Sequence, residues 1–206
     1  AHMMALDGAT RANLELNCTL SGARVGSLLH TLDATVTAGG ARLLASRLNA
    51  PLIQCAKIEA RLEAIAAFLA APDLANTVLG VLKTAPDMAR ALNRLAMQRG
   101  GPRDAQAIGQ ALQAAEQLAA LLDNMPESCG ELAAQIACLV EQSGQLNGLR
   151  QRLDDGLDVS LPLLARDGGF IAAGFHRGLD ESRALRDEGR QVIAGLQNRY
   201  AEETGI

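Results

Sequence analysis

Aromatic residues are almost absent from this chain of 206 residues: they make up 2% of it, and tryptophan does not occur. β-Branched residues are also few. Because strands draw on aromatic and β-branched side chains, this scarcity argues against a β fold. Alanine and leucine dominate instead, with arginine, glutamine and glutamate, and these side chains lose little rotamer freedom in a helix. The composition therefore predicts an all-α protein.

Lysine is scarce as well, with two residues against seventeen arginines, and the net charge is −4. Proteins that hold nucleic acid through its phosphates usually carry a basic surplus. We therefore expect this chain by itself to bind DNA weakly or not at all. No run of eighteen apolar residues and no signal-peptide pattern occurs. We expect a soluble, cytoplasmic protein without a membrane partner.

Sequence signatures of catalysis are absent. The chain contains no Gly-x-x-x-x-Gly-Lys-Ser/Thr motif, so we expect no phosphate-binding loop and no ATP hydrolysis by this chain. It contains no His-x-x-x-His or Glu-x-x-His pair, and His30 and His176 stand alone, which favours surface or packing roles. We assign no catalytic, cofactor-binding or metal-ligating residue, and we predict that the chain is not an enzyme.

The cysteines point to neither a disulfide framework nor a zinc site. Cys18, Cys55, Cys129 and Cys138 lack Cys-x-x-Cys spacing and have no paired histidines nearby. In a chain of this size, without a secretory signal, such cysteines are expected to be buried, reduced thiols.

Apolar residues recur at helical spacing along most of the chain. Three apolar stripes are predicted to face the core: Ile58, Leu62, Ile65 and Leu69; Met88, Leu92 and Leu95; and Ile108, Ala111, Leu112, Ala115, Leu118 and Leu122. Asp73 is predicted to cap the helix that follows Pro72. Helices are predicted near 38–48, 54–69, 73–83, 87–95, 102–123, 131–142 and 175–204, with a weaker turn at 146–153 and a loop at 124–128.

Helical periodicity stops between Asp154 and Gly174. Pro162 and the pair Gly168-Gly169 interrupt this segment. Extended pieces at 161–164 and 170–171 predict a short β-hairpin that pairs across the turn of Arg166 to Gly169. We therefore predict an irregular multi-helix bundle with one short hairpin near 161–171 and a long C-terminal helix.

Three stretches carry polar and apolar residues in a fixed order: Asp7, Thr10, Arg11, Asn13, Leu14, Glu15, Leu16, Leu32, Asp33, Thr35, Thr37, Gly40, Arg42, Leu43, Leu44, Pro51 and Leu52; Asp87, Arg90, Arg94, Leu95 and Pro102-Arg103-Asp104; and Arg166-Asp167-Gly168-Gly169, Ile171, Leu179-Asp180-Glu181 and Glu203-Thr204-Gly205. These stretches resemble the core, or lever, domain of the MutS family of DNA mismatch-recognition ATPases. Ala12 and Arg47 depart from the family pattern, since relatives carry a second arginine and usually a tryptophan there.

The resemblance implies a division of the chain and a mechanical role. Residues 1–6 are expected to be a cloning scar and a flexible start, 7–174 the first half of the core domain, and 175–206 a lever helix that leads to a clamp domain. The implied parent is a DNA-dependent ATPase that uses ATP and Mg²⁺ and works as a homodimer on mismatched double-stranded DNA. The implied partners of this chain are the connector, clamp and ATPase domains.

Alternatives stay open at this point. The parent is either a mismatch-repair protein or a MutS homologue that acts on other DNA structures, since the core motifs do not report which DNA is read. A free-standing helical adaptor that binds partner helices is a further alternative. Four arginines, Arg90, Arg94, Arg99 and Arg103, are either a phosphate-binding patch or a solvated, ion-paired helix face, and the second interpretation is favoured.

Overall fold

The chain folds into a set of helices with irregular connections. The structure, a computed structural model, describes residues 3–123, 125 and 131–204. The predicted all-α fold is confirmed, and the described ranges contain no β-strand. The predicted loop at 124–128 lies almost wholly outside them. The helices are α1 Gly8–Asn13, α2 Leu28–Leu32, α3 Ala38–Asn49, α4 Cys55–Ala70, α5 Pro72–Thr84, α6 Met88–Ala96, α7 Pro102–Leu122, α8 Glu131–Gly156 and α9 Arg177–Thr204, with a 3₁₀ turn at Ala165–Asp167.

Helices α7 and α8 form an antiparallel pair at the centre of the fold. Leu122 at the end of α7 packs with Ile136 near the start of α8. Nearer the other end, the Arg150 Nε donates to Glu116 Oε1 over 3.1 Å, and Gly109 lies against Leu153. The end of α7 therefore contacts the start of α8, and residues earlier in α7 contact residues later in α8.

Two apolar clusters hold the other helices to this pair. One contains the buried residues Val78, Leu122 and Ile136, so it joins α5 to α7 and α8. The second contains Ala91, Ile108 and Leu112 and joins α6 to α7. Burial of apolar surface away from water drives this packing. The stripe predicted for α7 is confirmed, because its members Ile108, Leu112 and Leu122 are buried and Ala111, Ala115 and Leu118 are half-buried.

Polar side chains cap the N-termini of α1, α2, α3 and α6. The carboxylate of Asp7 and the hydroxyls of Ser27 and Thr37 accept hydrogen bonds from the backbone N–H three residues further on, at the starts of α1, α2 and α3. Asp87 does the same for α6. Each accepts from one of the N–H groups that a helix start leaves without an intrahelical partner.

Two helix boundaries differ from the predictions. Asp73 is not a cap: α5 begins one residue earlier, at Pro72, whose fixed φ suits a first helical position. The predicted pieces at 131–142 and 146–153 are one continuous helix, α8. Gly144 and Gly148 weaken its local helical preference, but packing along α7 stabilises the helix across them.

The predicted inward stripes of α4 and α6 are wrong. Leu69 is 77% exposed, and Ile58, Leu62 and Ile65 are exposed with it. The half-buried side of α4 carries Ala64, Ala67 and Phe68 instead. On α6 the buried residue is Ala91, while Met88, Leu92 and Leu95 are partly exposed. In both helices the packed side therefore includes small alanine side chains, which let a neighbouring helix approach closely.

The predicted β-hairpin does not form. Residues 165–167 make a 3₁₀ turn, and Gly168 and Gly169 follow it with φ values of +70° and +74°. The extended residue Ile171 pairs instead with Leu157, in an isolated antiparallel bridge. The segment therefore returns to the end of α8 rather than to the residues next to its own turn.

The predicted burial of the cysteines is wrong for the three that the structure describes. Cys18, Cys55 and Cys138 are free thiols with exposed side chains. Cys129 lies outside the described residues. Cysteine type alone favours burial, but none of these three residues belongs to either apolar cluster.

Ion pairs fasten the first part of the chain to the later helices. Arg42 on α3 makes a two-pronged ion pair with Asp87, with N–O distances of 2.8 and 3.0 Å. Glu131 at the start of α8 accepts from Arg47 over 3.0 Å and from Arg61 over 2.8 Å. Arg47 therefore joins α3 to α8 through an ion pair.

Truncating a core leucine should separate the buried face of α7 from the exposed stripe of α4. Leu112 is 6% exposed, so Leu112→Ala is expected to lower the free energy of unfolding by about 2–5 kcal/mol. The matched change Leu69→Ala removes the same atoms from a solvated position, and an effect within about 0.5 kcal/mol is expected. Urea denaturation of the isolated chain measures both. A large loss of unfolding free energy in Leu69→Ala would instead indicate that the Leu69 stripe of α4 faces the core.

The ion pair of Asp87 should make stability depend on pH. The hydrogen bond from Arg42, with that from the Arg90 N–H, lowers the pKa of Asp87 below its ordinary value of 3.8. A carboxylate with a lowered pKa stabilises the fold above the unfolded-state pKa, and this contribution is lost as the pH falls through the folded-state value. Asp87→Asn should therefore lower the thermal midpoint at pH 7, and the difference from the original chain should shrink below pH 3.8.

The control for this experiment is Asp73→Asn, which changes an exposed acid in the first turn of α5. It should leave the pH dependence of the thermal midpoint unchanged. A difference between the original chain and Asp87→Asn that stays constant from pH 7 to pH 3 would contradict the role given to this ion pair.

Candidate functional site

No site residue was predicted for catalysis or metal binding, and the absence of such chemistry remains a prediction. Within the described ranges, no group of three or more His, Cys, Asp or Glu side chains is placed to hold a metal ion. No single described helix is long and apolar enough to cross a membrane; one bent pair, Cys55–Ala70 with Pro72–Ala96, passes on length and composition only. The candidate site is the joint at which α9 leaves the helical body, formed by residues 156–158 and 170–183.

The joint begins at the end of α8 with a short antiparallel pairing. The Ala172 N–H donates to the Gly156 carbonyl and the Asp158 N–H donates to the Phe170 carbonyl, each over 2.9 Å. These bonds flank the bridge between Leu157 and Ile171. The chain that leads into α9 is thus bonded to the last residues of α8.

An aromatic ring fills the space beside the last residue of α8. A Cβ added at Gly156 would lie 2.9 Å from Phe175 Cζ and 3.1 Å from two further ring atoms. Side-chain carbons do not approach this closely. The absence of a side chain at Gly156 therefore lets Phe175 sit against the α8 backbone.

The start of α9 is fixed by two polar side chains. The His176 Nδ1 accepts from the Leu179 N–H over 3.3 Å, so this predicted surface histidine serves as a helix cap. Asp180 Oδ2 accepts from the Gly174 N–H over 2.9 Å. Gly174 has a φ of +84°, a conformation that favours glycine.

Arg183 makes the contact furthest along α9. Its Nη2 donates to the Ile171 carbonyl over 2.9 Å, and its Nη1 lies 3.5 Å from Asp180 Oδ1. Its side chain is 25% exposed. The guanidinium thus connects the second turn of α9 to the carbonyl of the residue that is paired with Leu157.

Beyond Arg183 the described part of α9 is exposed to solvent. The apolar residues Leu185, Val192, Leu196 and Tyr200 form a stripe on this part, and Leu185 is 70% exposed. No described residue packs against the stripe.

An apolar groove lies beside the joint. It has a volume of about 480 Å³ and runs between the first turn of α7, the end of α8 and the segment before α9. Arg152 is its charged lining residue. Its apolar side chains include Leu95, Leu149, Leu153, Phe170 and Phe175.

Of the four arginines considered for a phosphate-binding patch, two have hydrogen-bond partners within the fold. Arg94 pairs with Asp104 over 3.0 Å, and Arg103 donates to the Leu161 carbonyl over 3.4 Å. Within the described ranges, the side chains of Arg90 and Arg99 are exposed and have no hydrogen-bond partner. The ion-paired interpretation is supported for Arg94. The Gly101 N–H, and then Arg94, lower the pKa of the Asp104 carboxyl.

Sequence reasoning did not single out Gly156, Phe175 or Arg183. Arg183 lies among many charged residues of the long helix, and Gly156 lies in the segment without periodicity. One signal was available: Asp180 and Arg183 stand three residues apart, at the spacing of facing side chains in a helix. That spacing predicts their mutual contact but not the carbonyl to which Arg183 donates.

A side chain at Gly156 should disturb the joint. Gly156→Leu would force Phe175 away from α8, and overpacking of this kind costs about 1–3 kcal/mol of unfolding free energy. Gly148→Leu is the matched control on the same helix, because a Cβ there meets no atom within 4 Å. Urea denaturation compares the two. Equal stability of the two variants would mean that the contact between Phe175 and Gly156 is not a tight one.

Comparison with known proteins places this fold in a family. MutS domain III matches residues 9–205. The chain is 50% identical over 203 residues to the DNA mismatch repair protein MutS of Rhodopseudomonas palustris (strain BisB5), 51% over 207 residues to that of Rhizobium meliloti (strain 1021) and 49% over 201 residues to that of Ruegeria sp. (strain TM1040).

These alignments cover 98–100% of this chain but 22% of each relative. The chain thus spans about a fifth of the length of the curated relatives that it matches. The family match extends over nearly all of the sequence, and it agrees with the all-helical structure and with the motifs at both ends. The chain belongs to the MutS domain III family.

Proposed function

We propose that this chain is the core and lever part of a DNA mismatch-repair protein, and that it couples the nucleotide state of an ATPase domain to the position of a DNA clamp. The observation that carries the proposal is the form of α9. This helix has 28 residues, which corresponds to about 42 Å at 1.5 Å per residue. Its first two turns are bonded to the helical body, and the rest extends away from it.

A lever needs a stiff body at its base. The antiparallel pair of α7 and α8 supplies one, because α5 and α6 are packed onto it through the two apolar clusters. Packed helices move as rigid bodies between alternative arrangements rather than deforming continuously. A small rotation of this body would therefore be carried to the far end of α9 as a larger displacement.

The relatives are DNA mismatch repair proteins, which supports the mismatch-repair role over a role on other DNA structures. In this proposal the parent protein is a cytoplasmic DNA-dependent ATPase that works as a homodimer and uses ATP and Mg²⁺ outside this chain. The connector, clamp and ATPase domains are the direct partners of this chain. Mismatched double-stranded DNA is a partner of the parent.

The chain itself is proposed to contribute mechanics rather than catalysis or DNA contact. Its net charge is −4, and several arginines are engaged within the fold: Arg42 with Asp87, Arg94 with Asp104, and Arg150 with Glu116. Ion-paired guanidinium groups are less available to neutralise phosphates. Weak or undetectable binding of DNA by the isolated chain is therefore expected.

Interrupting α9 in the full-length parent tests the lever. Seven Gly/Ser residues inserted near Gly195 would form a flexible coil and should abolish ATP-dependent release of mismatched DNA while ATP hydrolysis continues. The matched control inserts seven helix-forming residues, which add about 10 Å but keep the helix continuous. This variant should retain ATP-dependent release.

DNA release is followed by fluorescence anisotropy of a labelled mismatched duplex after ATP addition, and hydrolysis by phosphate release. If the Gly/Ser variant releases DNA at the unmodified rate, α9 does not act as a lever. If both inserted variants lose release equally, helix continuity is not the property that matters.

A further inference from the structure

We propose that Arg183 is a positioning residue that fixes the direction in which α9 leaves the body, so that the joint is rigid rather than a hinge. The biological meaning of this inference rests on the proposed lever function. Its physical content concerns only contacts within this chain.

The covalent connection alone does not determine the direction of α9. Residues 172–176 link the paired residue Ile171 to the first helical residue, Arg177, and the link contains Gly174 at a φ of +84°. A short link that includes glycine permits several backbone conformations. The direction must therefore be set by non-covalent contacts between α9 and the residues bonded to α8.

Three such contacts lie at increasing distance along the chain. Phe175 packs on Gly156 just before α9. Asp180 accepts from the Gly174 N–H in the first turn. Arg183 donates to the Ile171 carbonyl from the second turn. Two of them act close to the point about which the helix would tilt, whereas Arg183 acts furthest from it. Its hydrogen bond therefore has the greatest mechanical advantage against tilting.

The carbonyl that Arg183 binds is itself held in place. Ile171 is bridged to Leu157, and the flanking bonds at Gly156 and Asp158 are 2.9 Å each. Asp180 lies 3.5 Å from the Arg183 guanidinium and so opposes its movement away from this carbonyl. A continuous set of bonds therefore runs from the end of α8 to the second turn of α9.

The position of the far end of α9 is sensitive to this contact. From Arg177 to Thr204 the helix axis extends about 40 Å, so a tilt of about 15° would move the far end by roughly 10 Å. The exposed part of α9 has no packing partner among the described residues that would limit such a tilt. Loss of the Arg183 contact should therefore widen the range of positions that the far end occupies.

Arg186 provides a matched control one turn further along α9. It is also an arginine, and its guanidinium pairs over 2.9 Å with its neighbour Asp187, on the same helix. Arg186→Ala removes the same side chain from the same helix without touching the joint. Arg183→Lys is a second informative variant, because an ammonium retains one donor for the Ile171 carbonyl but lacks the guanidinium fork.

The experiment measures distances by pulsed electron paramagnetic resonance on the chain, after its four cysteines are replaced by serine. Nitroxide labels are attached at Gln113→Cys on α7 and Asn198→Cys on α9, both exposed positions. A second pair, Asp187→Cys and Asn198→Cys, reports on the integrity of α9 itself. Far-ultraviolet circular dichroism compares the helical content of the variants.

The expected result is a narrow distance distribution between α7 and α9 in the labelled chain and in Arg186→Ala. In Arg183→Ala the distribution should be at least about twice as wide, with Arg183→Lys between the two. The distribution within α9 should be the same in all variants. This outcome identifies Arg183 as the residue that holds the joint rigid.

Three results would overturn the inference. The first is a distance distribution between α7 and α9 that is no wider in Arg183→Ala than in Arg186→Ala. The second is a distribution that is already broad with Arg183 intact. The third is a distribution within α9 that broadens together with the one between α7 and α9, which would indicate loss of the helix rather than tilting. None of these results bears on whether a continuous α9 is needed for ATP-dependent DNA release, so failure of this inference and failure of the lever proposal are distinguishable.

Discussion

Helices α7 and α8 bury their facing side chains against each other, and the positions of the other helices depend on this pair. The contacts of α5 and α6 with the two long helices bury the side chains of Leu112, Leu122 and Ile136. The packing keeps α8 continuous across Gly144 and Gly148. Because α8 ends at Gly156, the same packing places the joint from which α9 leaves. A change in the α7 and α8 contact would therefore alter both the body and the direction of α9.

Polar contacts act at the edges of this apolar body. Several residues that carry the resemblance to MutS have structural roles of this kind: Asp7 and Thr37 begin helices, and Arg42 joins α3 to the cap of α6 at Asp87. Such groups orient the helices more than they add to the free energy of folding, because exposed ion pairs are individually weak. The long separation in sequence between Arg42 and Asp87 shows how two family motifs serve one contact.

The exposed apolar residues are as informative as the buried ones. The stripe of α4 around Leu62 and Leu69 and the stripe of α9 around Leu185 and Leu196 are both in solvent. Such stripes on an isolated surface are a common mark of protein contact. Since the chain spans 22% of its relatives, the other domains of a longer parent are the proposed partners for both.

Local sequence was sufficient for the elements themselves. The all-α class followed from composition, and most helices, including α3, α4 and α7, were located within one or two residues, since periodicity, prolines and caps act over a few residues. The same periodicity showed that α4 is amphipathic but not which side faces the body, and it assigned a hairpin where Ile171 pairs with Leu157.

The joint was decided only by the tertiary structure. Gly156 and Phe175 are far apart in the sequence, and Arg183 donates to the carbonyl of Ile171 twelve residues earlier. A backbone carbonyl is present at every residue, so the sequence carries no mark of which one an arginine will bind. The sequence by itself therefore determined a long charged helix with an apolar stripe, whereas its fixed direction depends on the position to which the packing of α7 and α8 brings the end of α8.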